Sequence, residues 1–197
     1  MKKQSNRGLL WSFVVIFVVL LLDQILKIWV RTNMTLGQEI PVIGNWFKLL
    51  FIENNGMAFG WLGGGGALKL ALSLFRIVAI VALFWVLVRL SKNNTKFGVL
   101  FGIALITAGA MGNIIDSVFY GQVFHYAGWL QGRVVDMLYF PIIDVPRENA
   151  TWLPGFFFGP DNRFIFFRPI FNLADSAITI GVFYMLLFQW SWLKELK

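Results

Sequence analysis

With 197 residues, the chain has room for one domain or one helical bundle. Hydrophobic residues make up 58% of it and charged residues only 14%, which is too apolar for a soluble domain of this size and makes lipid the expected solvent. The formal charge of +7 sits beside apolar segments rather than in a basic stripe or recognition motif, which argues for membrane sorting and lipid contact and against nucleic acid.

Four segments are long enough to span a bilayer: about 9–30, 67–90, 97–115 and 174–192. The first follows Lys2, Lys3 and Arg7 and runs on through Asp23, Gln24 and Lys27 without a small-x-small cleavage site, so it reads as a retained helix rather than a removed signal peptide. Residues 40–53 are rich in β-branched and aromatic side chains around Gly44-Asn45, and suggest short strands joined by a turn. The run Gly63 to Gly66 lacks the Lys-Ser/Thr of a phosphate-binding loop and reads as a hinge. Between the second and third spans stand Arg89, Lys92 and Lys96, and after the fourth come Lys194 and Lys197. With an even number of spans, these basic segments and the N-terminal tail share one side, expected to be cytoplasmic, and connections 31–66 and 116–173 face outward. The stretch from Asp144 to Arg168, rich in Pro, Gly, Asn and aromatics, reads as a surface loop whose Phe156 to Phe158 dip into the interface. No internal repeat is visible, and residues 1–197 read as a single integral membrane domain.

Ionisable groups in or at the rim of a span are costly and mark functional sites by default. Asp23 and Lys27 share a face at i,i+4 spacing, and the simplest reading is an ion pair near the outer interface with Lys27 snorkelling outward and Asp23 shaping a site. Asn113 and Asp116 share a face at the outer end of the third span, preceded by Gly112, which lets another helix approach. Asn172 and Asp175 repeat the Asn-x-x-Asp spacing where the fourth span begins; helix capping explains them as well as chemistry does. Asp136 stands inside the apolar run from Val134 to Phe140, where a carboxyl must be buried, paired or reactive. Two converging carboxyls cannot both ionise cheaply. One can then activate water while the other donates to a carbonyl, which suffices for peptide hydrolysis without metal, Ser or Cys. Cys is absent and His125 is the only histidine, reading as an ordinary loop residue, so no metal site and no cofactor is expected. Arg76 in the second span pairs or snorkels, with no partner nameable from sequence.

Five motifs occur in order: Asp23-Gln24-x-x-Lys27, Asn54-x-Gly56-x-Ala58-Phe59, Gly112-Asn113-x-x-Asp116, Val134-Val135-Asp136 and Phe171-Asn172-x-Ala174-Asp175-Ser176. In this the chain resembles the lipoprotein signal peptidases (signal peptidase II). The resemblance implies an all-α membrane protein: a four-transmembrane-helix bundle with a small extracytoplasmic β-cradle and a flap, set in the bacterial cytoplasmic membrane with both termini cytoplasmic and the site near the outer face. It implies an aspartic dyad, Asp136 and Asp175, that cleaves prolipoproteins before a diacylglyceryl-modified cysteine and is inhibited by globomycin. Asn54, Gly56, Asn113, Asp116 and Asn172 would line the site or position substrate, and Asn54-Asn55-Gly56 serves equally as a plain turn. A monomer is expected. Two features depart from the family pattern. The residue after Asp116 is Ser117 where Arg is common, so that contact is lost or supplied elsewhere, for which Arg133 is the candidate. Asp136 and Asp175 are also 39 positions apart, with the extra length in the 144–168 loop, a change that costs little closure entropy. The competing readings are a small proton- or cation-coupled transporter, with acids spread along a pore, and a non-catalytic assembly subunit.

Overall fold

The computed structural model describes residues 2–55 and 66–194. Helix α1 (Lys2–Asn33) turns one stripe inward, Ser12, Ile16, Asp23, Lys27 and Val30, at steps of three, four and seven residues, and Met34 just after its end continues it. Its other faces present Phe17, Leu22 and Ile25 outward. Helix α2 (Gly66–Lys92) is built the same way, with Phe75, Val78 and Val81 exposed. Helix α3 (Phe97–Ile115) is the central element, mostly buried and packed against α1, α2 and the later helix α5 (Leu173–Phe188). It continues through a π-helical turn, Asp116–Tyr120, into a short α4 (Gly121–Val123). With that extension, the apolar stretches of α1, α2 and α3 are each long enough to cross a membrane, and their exposed apolar faces fit lipid rather than water.

The fourth expected span differs. Helix α5 holds 16 residues, stops at Gln189, and is followed by the separate turn-and-a-half of α6 (Trp190–Lys194). Helix α5 lies very close to α3, because Gly109 and Gly112 face Ala174 and Gly102 faces Gly181. A Cβ on Gly109 would stand 2.2 Å from the carbonyl oxygen of Ala174, with no flexible side chain to yield. Gly109→Ala is therefore expected to push the two helices apart and cost about 1–3 kcal/mol, read as a lower thermal midpoint in detergent.

The strands expected in residues 40–53 are present as β1 (Glu39–Ile43) and β2 (Phe47–Asn54), joined through Gly44 at φ +51°. They extend into an antiparallel sheet, β1-β2-β3-β6, with β3 (Val134–Tyr139) in the interior and β6 (Ile170–Phe171) at the far edge. Every residue of β3 is buried. Val135 and Met137 pack with Val30, Phe51 and Tyr120 in a core that joins the sheet to the end of α1. Helices dominate, and the small sheet beside them supplies Asp136 from β3.

The stretch 144–168 is no plain loop. Strands β4 (Ile143–Pro146) and β5 (Arg163–Phe166) form a separate two-stranded sheet, tied by a 2.7 Å ion pair from Arg163 to Asp144. The Pro and Gly residues that suggested irregularity fall in the connection between these strands, where two 3-10 turns, Arg147–Asn149 and Gly155–Phe157, take them up. Phe156 is 81% exposed at this tip.

Candidate active site

Two layers of polar side chains meet where α1, α3, β3 and the start of α5 converge. The lower layer is built on Lys27, which is fully buried and does not snorkel outward. Its stem points into the protein because three acceptors await Nζ there: Asp116 Oδ2 at 2.8 Å, Asp23 Oδ2 at 3.0 Å and Asn113 Oδ1 at 3.0 Å. An ammonium has three donors and all are used. Asp23 Oδ1 accepts from the backbone N–H of Ala174 at 2.9 Å, in the first turn of α5, where the helix dipole favours an anion. Asp116 Oδ2 also accepts from the Val135 N–H at 3.2 Å, tying α3 to the residue before Asp136. Gln24 closes the layer: its amide donates to Asp116 Oδ1, Asp23 Oδ2 and the Gly112 carbonyl, and its oxygen accepts from the Tyr120 hydroxyl at 3.0 Å.

The upper layer holds the two carboxyls singled out from the sequence. Asp136 is 3% exposed on β3, and Asn172 Nδ2 donates to its Oδ1 at 2.7 Å while Asn54 Nδ2 donates to its Oδ2 at 3.1 Å. Asp175 is half-buried and accepts on Oδ1 from Asn113 Nδ2 at 2.7 Å. Asn172 and Asp175 also form a reciprocal cap on α5: Asn172 Oδ1 accepts from the Asp175 N–H at 2.9 Å and Asp175 Oδ2 from the Asn172 N–H at 3.4 Å. The capping and chemical readings of Asn172 are therefore both met, by its oxygen and its amide respectively. Asn113 bridges the layers, accepting from Lys27 and Asn172 and donating to Asp175. Burial pushes the Asp136 carboxyl up to about 7; the negative charge of Asp175 adds to this, and the amides of Asn54 and Asn172 oppose it. Beside Asp175 opens a cavity of about 410 Å³, walled by Phe167, Pro169, Phe171, Thr179 and Ile180.

The structure thus gathers Asp23, Lys27, Asn54, Asn113, Asp116, Asp136, Asn172 and Asp175. Gly56, and Gly63 to Gly65 of the glycine run, lie outside the described residues. Arg133 stands apart: it pairs with Glu53 at 2.7 Å, lies over the Tyr126 ring, and shares Glu53 with Arg31. Ser117 turns its hydroxyl back onto the Asn113 carbonyl at 3.1 Å. Two contributors were named in the sequence reading without a role. Gln24 was legible only as an amide beside a membrane acid. Arg76 falls on the buried stripe of α2, between Ser73 and Ile80, where the charge of Asp175 acts on it.

Residues 15–191 match the family model for signal peptidase (SPase) II. The chain belongs to the signal peptidase II family. Curated lipoprotein signal peptidases are similar along most of its length: that of Porphyromonas gingivalis is 44% identical over 187 residues, covering 87% of this chain and 79% of the relative. That of Amoebophilus asiaticus is 38% identical over 184 residues, with 87% and 75% covered. A bacterial membrane enzyme solved by the in meso method at 2.3 Å resolution superposes with a TM-score of 0.61 at 27% identity, covering 94% of this chain and 89% of that one. The transporter reading is not favoured by this membership. As a signal peptidase II, the chain is a membrane peptidase.

Proposed function

We propose that the chain removes signal peptides from prolipoproteins, cleaving before a diacylglyceryl-modified cysteine, with Asp136 and Asp175 as the dyad. The observation that carries this reading is the pairing of a buried, proton-retaining Asp136 with a half-buried Asp175, each fixed by an asparagine amide. Asp175 takes a proton from the attacking water, and Asp136 donates its proton to the scissile carbonyl oxygen as the tetrahedral intermediate forms. On collapse the C–N bond breaks, Asp175 gives its proton to the leaving amine, and a hydroxyl of the gem-diol intermediate gives its proton to Asp136 as the carbonyl re-forms, so the dyad is restored. Asn54 and Asn172 hold Asp136, Asn113 holds Asp175, and Lys27 with Asp23, Asp116 and Gln24 anchors those amides. The substrate's lipid anchor keeps the bond at the membrane surface, and the cavity beside Asp175 gives its apolar part room.

In this reading, residues 1–197 form one domain in the bacterial cytoplasmic membrane, α5 and α6 together make a fourth span, and both termini are cytoplasmic. The β1-β2-β3-β6 sheet is a cradle under the substrate near the outer face. The protein acts as a monomer and binds globomycin-type inhibitors in the same site. The test is incubation of the purified protein in detergent with a diacylglyceryl-modified prolipoprotein, mapping the product's new N-terminus. Cleavage at the lipidated cysteine, blocked by globomycin, is expected; cleavage elsewhere or none, beside an active relative, would refute it.

The state of Asp136 sets the pH dependence. Its proton is required, so kcat/KM is expected to fall as pH rises through about 7, with a one-proton slope. The Asn54 amide favours the charged form of Asp136, so Asn54→Leu should move this limb to higher pH. A limb that stays in place in a pH–rate series would remove Asn54 from contact with the reacting acid.

A further inference from the structure

A second cavity, lined mostly by apolar surface, lies at the opposite end of the helices. Arg7, which lines it, is 16 residues from Asp23 along α1, about 24 Å of helix at 1.5 Å per residue. The cavity, about 300 Å³, lies between the start of α1 and the connection from α2 to α3. Arg7 and Lys96 flank it, Asn94 and Thr95 add side-chain donors, and Trp11 and Phe97 form its apolar edge. Trp11 is 58% and Phe97 48% exposed, so that edge opens onto the surface assigned to lipid.

The surrounding cations divide into two groups. Arg89 lies over the Trp85 ring at 5.1 Å and Lys194 over Trp190 at 5.8 Å. Among the described residues, Arg7 and Lys96 have no acidic partner, although both border the same cavity. Two cations without an acidic partner among the described residues, beside a concave and largely apolar space with aromatic rings at its lipid-side rim, match the phosphate of an anionic phospholipid whose glycerol and chains lie along Trp11 and Phe97. We propose that this cavity binds the headgroup of one anionic phospholipid, between Arg7 and Lys96. A lipid fits better than a free phosphate because the cations border an opening whose lining is mostly apolar.

The test is native mass spectrometry of the full chain in neutral detergent, titrated with phosphatidylglycerol or phosphatidylcholine. One phosphatidylglycerol is expected to bind in preference to phosphatidylcholine. That preference should fall about fivefold in Arg7→Gln and again in Lys96→Gln, from roughly 1 kcal/mol per cation at an anionic lipid. Lys48→Gln, which removes an equal charge at the sheet end, should keep it. Equal binding of both lipids, or an unchanged preference in the two variants, would overturn the site. Displacement of the lipid by millimolar inorganic phosphate would overturn the lipid assignment in favour of a free anion. Prolipoprotein cleavage by Arg7→Gln and Lys96→Gln, measured in parallel, reports that both variants are folded.

Discussion

Asp136→Asn and Asp175→Asn are each expected to lower prolipoprotein cleavage by about 10²–10⁴-fold or more, the range for losing a positioned acid or base. The substitution is close to isosteric, so the test separates chemistry from packing. In Asp136→Asn the amide can still accept from Asn172 through its oxygen, but it has no proton to give to a carbonyl oxygen. In Asp175→Asn the cap on α5 keeps an oxygen acceptor, but the base is gone. Both variants should therefore unfold within a few degrees of the parent in detergent while losing turnover. In the proposed mechanism the two carboxyls act on one intermediate, so the double variant should be little worse than either single one. Cleavage that persists in one folded variant would take that residue out of the chemistry, and the remaining acid would need another partner.

Lys27→Met should produce the largest loss of stability, about 3–5 kcal/mol, because it leaves Asp23 and Asp116 buried without their counter-charge. The effect is asymmetric. Burying the ammonium is itself costly, and the charge is stabilising only because two carboxylates and Asn113 receive all three donors. Neutralising the whole group in Lys27→Met with Asp23→Asn and Asp116→Asn should therefore recover much of the lost stability, read as a thermal midpoint in detergent. Activity should not recover to the same extent, since Asn113 would still lack the donor that orients it toward Asp175. Equal instability in single and triple variants would mean that packing around the Lys27 stem, rather than charge, is what the residue provides.

The split between stability and activity follows from the layering of the site. Lys27 and its acids tie α1, α3 and the first turn of α5 together, while Asn113 and Asn172 carry that rigidity to the dyad. Arg133, the sequence's candidate for a missing cation, instead serves the sheet through Glu53. On α2, Arg76, marked in the sequence as a costly cation without a nameable partner, lies within reach of the charge of Asp175.

Local chemistry alone determined a good deal. Apolar run length marked the helices, the β-branched run with Gly44 marked the first hairpin, and the cost of burying a carboxyl marked Asp23, Asp116, Asp136 and Asp175 before any partner was known. Those properties depend on a residue and its near neighbours, so they can be read along the chain. Which way Lys27 points could not. Its i,i+4 partner is equally consistent with snorkelling, and only Asn113 and Asp116, 86 and 89 positions away, make the inward rotamer the better solvated one. The same holds for the order within 144–168, where strand pairing overrides turn-forming residues, and for Asn172, whose cap is local but whose bond to Asp136 requires β6 to lie beside β3. A lone polar group in lipid must find partners, and the sequence says that much; only packing across long separations decides which partners they are.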